Sequence, residues 1–319
     1  MSRPLAAGLA LGFVLDRAFG DPARFHPVAG LGRWAAAVER RAYLDHRAPG
    51  LLHHAAVTGP LLGAAALAER ACRRPWQQTI LTAAATWAVV GGRSLAREGA
   101  TIAAQLERGD LPAARVQVTH LVGRDPSRLD AAGVSRAATE SLAENTSDAV
   151  VAPLLWGAAF GVPGLVGYRA VNTLDAMVGH HSARYERFGW ASARIDDLAN
   201  LVPARVSAAL TVVLAPLVGG LRSDALRAWS RDARHHPSPN AGPIEAAFAG
   251  ALGVTLGGLN DYGGRLEHRA EMGDGPAPSV ADLPRATRLA TGVAWAAAAL
   301  SVLVALAPRP ARLRPRRRR

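Results

Sequence analysis

Between Ala138 and Arg205, an apolar run of about twenty residues, long enough to rival a membrane span, is bracketed on both sides by acids, amides and arginines. On the near side Glu140, Glu144 and Asp148 recur at every fourth position, with Ser141 and Asn145 beside them. In an α-helix that spacing advances about 40° per step, so the three carboxylates share one face. On the far side stand Arg169, Asn172, Asp175, Arg184, Arg194, Asp196, Asp197, Asn200 and Arg205. Unpaired charge is costly to bury, so polar clusters pressed against such apolar sequence point to a site in or at a membrane. A solvated helix face would explain any one of these residues, but it explains the whole set less well.

The composition agrees with a chain divided between membrane segments and large polar loops. Of 319 residues, 50% are hydrophobic and only 5% aromatic, and small residues that let helices pack closely are abundant. The mean hydropathy of +0.08 is too low for a protein made almost wholly of spans. The formal charge is +12 and every basic residue other than histidine is arginine, which excludes a lysine-based P-loop, Schiff base or general base. The arginines are spread along the chain, with only Arg309 to Arg319 forming a block, so nucleic-acid binding is not expected. A single cysteine, Cys72, rules out an intrachain disulfide and a thiolate metal cluster.

Taken in order, Leu5 to Leu15 reads as a first helix that runs into a turn at Asp21-Pro22 and His26-Pro27. Arg33 to Arg47 is amphipathic. Leu51 to Leu67 and Thr79 to Gly92 read as a helical hairpin with Trp76 and arginines at headgroup level. Residues 93–148 are expected to form a polar helical lobe, with 93–136 broken into short helices by Gly109-Asp110, Asp125-Pro126 and Gly133. Pro153, Gly161, Pro163 and Gly164 predict a broken or re-entrant segment between Ala149 and Tyr168, which would keep both polar groups on one side of the bilayer. Leu201 to Leu221 and Ala290 to Ala307 are further spans, residues 308–319 a disordered basic tail, and no strand-like alternation is visible. The expected fold is therefore all-α: one polytopic helical membrane bundle over residues 1–319, with large polar loops on its cytosolic side.

Acids facing arginines and amides suit Mg²⁺ with phosphorylated ligands, because Mg²⁺ prefers one or two carboxylates plus phosphate oxygens and water. Glu140, Glu144 and Asp148 are the candidate metal platform, and Asp175, Asp196 and Asp197 a second acidic group. Arg169, Arg194, Arg205, Arg231 and Arg234 are candidates to hold phosphate or carboxylate. No Walker A, G-x-S-x-G or H-E-x-x-H motif is present. His180-His181 and His235-His236 are adjacent pairs, which point apart on a helix and make poor zinc ligands.

The motifs ESLAENTSDAVVAPL, YRAVNTLDAMVG, RYERFGWASARIDDLANLVPAR and RDARHHPSPNAG closely resemble the adenosylcobinamide-phosphate synthase family of cobalamin biosynthesis. GDPARFHPV near the start resembles that family's N-terminal motif, and the likeness runs from about Leu11 to Gly264. It implies a multi-span enzyme of the inner membrane, with its site facing the cytoplasm. The implied activity is amide formation between the carboxylate of adenosylcobyric acid and aminopropanol phosphate, with ATP and Mg²⁺. Other enzymes of the cobalamin pathway are conceivable partners, alongside membrane lipid. Within the matching motifs, Asp21, His26, Asn145, Asn172, Arg184, Asn200 and Asn240 join the arginines above as expected substrate-binding residues, and the six acids as expected catalytic ones. Two other classes stay open on the residues alone: a Mg²⁺-dependent intramembrane prenyltransferase, of whose aspartate pairs Asn172-x-x-Asp175 is a fragment, and a transporter with a polar midplane site.

Overall fold

The computed structural model describes residues 3–20, 27–123, 125–180, 182–262 and 265–308, with backbone alone for 259–268. Asp21, His26, His181 and the arginine block at the C-terminus lie outside the described residues.

Thirteen α-helices are described: α1 (Arg3–Phe19), α2 (Pro27–Ala42), α3 (Arg47–Ala71), α4 (Pro75–Val89), α5 (Gly92–Glu107), α6 (Leu111–Val118) and α7 (Ala131–Thr146). After a π-helical turn at Ser147–Val151 come α8 (Ala152–Phe160) and α9 (Val162–Leu174). A second π-helical turn, Asp175–Gly179, leads towards α10 (Trp190–Leu214), α11 (Arg222–Asp232) and α12 (Ala241–Leu252). A hairpin of β1 (Leu256–Tyr262) and β2 (Arg265–Met272) precedes α13 (Asp282–Leu306).

Local chemistry sets these boundaries. Gly109, with φ of 74°, follows the end of α5, and Asp110 caps α6 by accepting from the Ala113 N–H at 3.1 Å, with Pro112 in the first turn. Asp130 caps α7 through the Gly133 N–H at 2.7 Å. Gly133 therefore belongs to the first turn of α7, contrary to the break expected there, because a strong N-cap outweighs one glycine. Pro75 opens α4, and the Gln77 side chain accepts from the Arg74 N–H at 3.0 Å.

Three helices are long and apolar enough to cross a membrane: α3, α10 continued by a 3₁₀ turn to Val218, and α13. They leave Leu51, Leu52, Leu67, Val213 and Leu303 exposed, as lipid-facing surfaces should be. The second arm of the expected hairpin, Thr79 to Gly92, is not among them. Its helix, α4, has 15 residues, or about 22 Å at 1.5 Å per residue, short of a ~30 Å hydrocarbon core. It packs instead on α1, where Gly8 and Gly12 let Thr82, Ala83 and Thr86 approach to within van der Waals contact of the α1 backbone.

The core forms around α12, an Ala- and Gly-rich helix with Glu245 as its one charged residue, all of whose residues are buried. It packs against α7, α10 and α11, while α13 lies against α1, α5, α7, α8 and α10. Phe13, Leu142, Leu154, Leu165, Ile244 and Phe248 fill the space between.

The hairpin overturns the expectation of no strands. Its pairing is antiparallel with a bulge between Leu256 and Gly258, and glycines near both ends break the alternation that would have revealed it. It is tied down on both strands at its open end: the Gly257 N–H donates to Glu140 Oε1 at 2.9 Å, and the Gly273 N–H to Asp232 Oδ2 at 2.9 Å.

The broken segment between Ala149 and Tyr168 is present as expected. Gly161 separates α8 from α9 with φ of 72° and ψ of −149°, a region essentially reserved for glycine, and an added Cβ would lie 2.3 Å from Glu69 Oε1. Gly161→Ala should cost about 1–3 kcal/mol, seen as a lowered thermal midpoint in detergent. An unchanged midpoint would show that the break does not depend on this conformation.

Candidate active site

Four separated segments meet at one partly open cavity of about 90 Å³, lined by Glu144, Ser147, Asp148, Asp175, Asp196, Asp197, Asn200, Ser238, Asn240, Ala241 and Ile244. α7 and its π-helical extension supply Glu144 and Asp148, and the π-turn after α9 supplies Asp175. The N-terminal half of α10 supplies Asp196, Asp197 and Asn200, and the turn into α12 supplies Ser238 and Asn240. Single π-turns inside helices recur at functional sites because they re-aim one side chain without ending the helix. Here two π-turns, one between α7 and α8 and one closing α9, each carry a cavity carboxylate. At the second, an added Cβ on Gly179 would meet the Asp175 carboxylate, so a side chain there would push that carboxylate from its position.

A layer of amides and one phenol fixes the acids. The buried Tyr168 hydroxyl donates to Asn200 Oδ1 at 2.8 Å, and Asn200 Nδ2 donates to Asp196 Oδ2 at 2.9 Å. Asn240 Nδ2 donates to the Asp197 carbonyl at 2.8 Å, and Asn172 Nδ2 reaches Asp148 Oδ2 at 3.4 Å. Arg194 pairs with Asp197 at 3.5 Å from the exposed side. The turn before α12 is held by His236, whose Nδ1 accepts from the Ser238 N–H at 3.0 Å, leaving Nε2 turned towards the buried Glu245 carboxylate at 3.8 Å.

The end of α12 is not an anion site. Asn240 N–H and Ala241 N–H donate to Ser238 Oγ at 3.3 and 3.1 Å, Gly242 N–H points to the Ser238 carbonyl at 3.4 Å, and Pro243 has no N–H. No arginine lines the cavity among the described residues.

Burial raises the Glu144 carboxyl above its usual range although it opens onto the cavity; Arg269 of β2 opposes the rise and Glu140 adds to it. Asp148 is held well above its usual range by burial first, then by the neighbouring charges of Asp196, Glu144 and Asp175, with Arg169 acting against them. Asp175 is lifted to about 6 by burial, then by Asp197 and Glu144.

Of the residues singled out in the sequence, Glu144, Asp148, Asp175, Asp196, Asp197, Asn200 and Asn240 line the cavity. Asn172, Arg169 and Arg194 lie beside it through the contacts just given. The others are elsewhere. Glu140 is buried under the hairpin, where Gly257 occupies its Oε1. Asn145 donates to the Ser141 hydroxyl and carbonyl. Arg184 pairs with Glu39 at 3.1 Å and stacks 4.1 Å over Tyr43. Arg205 is exposed and bonds the Leu201 carbonyl. Arg231 ties Asp232 to Asp274 beside the hairpin, and Arg234 is exposed. Arg269, Ser147, Ser238 and Tyr168 are contributors that sequence reasoning missed. Ser238 could have been found from S-P-N-A-G before an apolar run, which reads as a capped helix start. Arg269 carries no local signal.

Among the described residues, no three His, Cys, Asp or Glu side chains converge closely enough to cage a metal ion. The proposed trio of Glu140, Glu144 and Asp148 is thus not assembled as one platform, because Glu140 is turned to the hairpin. Glu144 and Asp148 still offer hard oxygen donors that fit Mg²⁺ shared with phosphate oxygens and water, the form in which Mg²⁺ is usually held.

The raised carboxyl of Asp175 has a measurable consequence. Folding moves it from 3.8 to about 6, so the protonated form is the one the fold favours. Its contribution to stability is fully present below pH 3.8 and is lost as pH rises through about 6. Ligand-free protein should therefore show a thermal midpoint that rises as pH falls from 7 to 5, and Asp175→Asn should flatten that rise. A midpoint that falls steadily over the same range would contradict the burial of this acid.

Comparison with known proteins gives the family. The family model described as CobD/Cbib protein matches residues 9–290. A protein of Mycobacterium tuberculosis named "Cobalamin biosynthesis protein CobD" is 53% identical over 307 residues, covering 96% of this chain and 97% of its own. Proteins of the same name from Chromobacterium violaceum and Rhodobacter capsulatus are each 44% identical, covering 93% and 89% of this chain and 96% and 92% of their own. No solved structure matches. The chain belongs to the CobD/CbiB family of cobalamin biosynthesis.

Proposed function

We propose that the protein is an adenosylcobinamide-phosphate synthase of the inner membrane, with its cavity opening towards the cytoplasm. It would join the carboxylate of adenosylcobyric acid to the amine of aminopropanol phosphate, using ATP and Mg²⁺. The observation that carries the reading is the convergence of five carboxylates on one cavity at the polar end of a membrane-length helix. The relatives' names place those proteins in cobalamin biosynthesis, and the reading extends that role to this chain.

A carboxylate and an ammonium do not condense in water, so the carboxylate must first be activated. In the simplest route its oxygen attacks the terminal phosphorus of ATP, giving an acyl phosphate and releasing ADP. The amine nitrogen, having lost a proton, then forms the C–N bond with the acyl carbon as the C–O bond breaks and phosphate leaves. Glu144 and Asp148 are the residues that would hold Mg²⁺, which supplies neutralisation of phosphate charge. Asp175, with its carboxyl near 6, is suited to accept the amine's proton close to neutral pH. Arg194, exposed at the rim, is placed to meet a phosphate with the forked geometry that lysine lacks. A cavity of about 90 Å³ admits only the reacting end of a ligand. The corrinoid would therefore lie outside it, against the apolar surface of the bundle.

Purified protein in detergent should form the amide, detected by mass spectrometry of the corrinoid, only when both substrates, ATP and Mg²⁺ are present. Glu144→Gln keeps shape and removes charge, and should lower turnover at least ~100-fold with the thermal midpoint preserved. Folded, substrate-loaded protein that forms no amide would overturn the ligase reading in favour of transport.

A further inference from the structure

One arginine stands exposed inside a helix that is long and apolar enough to cross a membrane. Along one side of α10 and its 3₁₀ turn, Leu198, Val202, Ala209, Val213 and Leu217 are exposed, and Arg205 is exposed among them. Steps of three and four residues keep all six on one stripe. The sequence from Leu198 to Leu217 contains no acid. Among the described residues, the Arg205 guanidinium meets only the Leu201 carbonyl of its own helix, at 2.8 Å. A cation on a lipid-facing surface is costly without a counter-charge, so it marks a place where a partner supplies one.

The direction of the side chain sets its depth. It runs back towards the start of α10, as long helical side chains do, and brings the guanidinium to the level of Leu201, the neighbour of Asn200 in the cavity wall. At the opposite end, Arg222 Nε donates to the Val213 carbonyl at 3.1 Å and Arg285 Nε to the Val218 carbonyl at 3.1 Å. From Leu201 to Val218 the chain rises about 26 Å at about 1.5 Å per residue, close to a ~30 Å hydrocarbon core. The helix stays continuous at the level of the cavity despite Pro203, because the Ala199 carbonyl that proline cannot reach accepts from the Trp156 indole N–H at 3.0 Å. Arginines thus bracket an apolar band of membrane thickness, and the cavity lies at one edge of that band, in the headgroup layer.

The headgroup layer offers one group that matches a guanidinium fork, the phosphate of a phospholipid. With the phosphate at Arg205, an acyl chain would follow Ala209, Val213 and Leu217 into the bilayer. Arg194 is exposed on the same side of α10, nearer the water. It would repel the cationic end of a zwitterionic headgroup, and the formal charge of +12 favours an anionic surface. We propose that Arg205 holds the headgroup phosphate of an anionic phospholipid and so seats the acidic cavity at the lipid surface. Lipid binding of this kind does not depend on the function proposed above.

The test uses full-length, substrate-free protein in a neutral detergent, with phosphatidylglycerol as the probe. Phosphatidylglycerol should raise the thermal midpoint by several degrees and stay bound in native mass spectrometry. Phosphatidylcholine should do so far less, and glycerol 3-phosphate, the headgroup without its chains, not at all. Arg205→Gln should weaken phosphatidylglycerol binding at least ~10-fold, as expected for loss of a charge-assisted hydrogen bond. Arg108→Gln, which removes an exposed arginine of the polar lobe, should leave it unchanged. Phosphatidylglycerol carrying a photoactivatable headgroup should crosslink to wild-type protein between Arg194 and Ala209, a result that decides the matter even if Arg205→Gln fails to fold. Equal stabilisation by both lipids, an equal effect of glycerol 3-phosphate, unaltered binding by folded Arg205→Gln, or crosslinks confined to other segments would each overturn the site. With no substrate present, loss of the lipid site leaves the ligase reading standing, and a protein that binds the lipid but makes no amide defeats the ligase reading alone.

Discussion

Five carboxylates held around one small cavity in an apolar bundle repel one another and lose hydration, and the surrounding architecture works against that cost. For Asp175 alone, the displacement from 3.8 to about 6 corresponds to about 3 kcal/mol at neutral pH, taking about 1.4 kcal/mol per unit. Folded domains have only about 5–15 kcal/mol in total. Four of the acids, Asp196, Asp148, Asp197 and Glu144, are fastened by a neutral donor or faced by an arginine. Tyr168 and Asn200 secure Asp196, Asn172 meets Asp148, and Arg169 and Arg269 offset Asp148 and Glu144. A cation that binds the folded state restores part of the lost stability, so ligand binding and folding are linked at this cavity.

That requirement also explains the local irregularities. The π-turns at Ser147–Val151 and Asp175–Gly179 aim acids that regular helices would place elsewhere. The break at Gly161 returns the chain so that the ends of α7 and α9 arrive at the same cavity rather than at opposite faces of a bilayer. The β-hairpin, pinned by Glu140 and Asp232, brings Arg269 to the back of Glu144. Burying Glu140 under a backbone N–H thus contributes indirectly, by fixing the element that moderates the charge of its neighbour.

Much of this was legible from residue spacing. The long apolar helices, the broken segment around Gly161, and most of the acids and amides of the cavity follow from periodicity and from polar residues set in apolar sequence. Helical periodicity alone could not separate Glu140 from Glu144 and Asp148: all three share a face, and only the hairpin's position shows which one is spent on structure. Nor could it distinguish arginines that approach the cavity from those, such as Arg184 and Arg231, that tie loops together. The hairpin itself was hidden because Gly257, Gly258 and the bulge erase the two-residue alternation of a strand. Tyr168 escaped notice because a phenol inside an apolar run reads as core until its hydroxyl finds Asn200.

Ligands are expected to react at the cavity between α7, α10 and the start of α12. A density map of the protein with a non-hydrolysable nucleotide, Mg²⁺ and adenosylcobyric acid tests this most directly. Nucleotide phosphates and the corrinoid carboxylate should meet at the mouth of this cavity, within reach of Glu144 and Asp148. Ligand density confined to another surface, with the five acids facing only water, would contradict it.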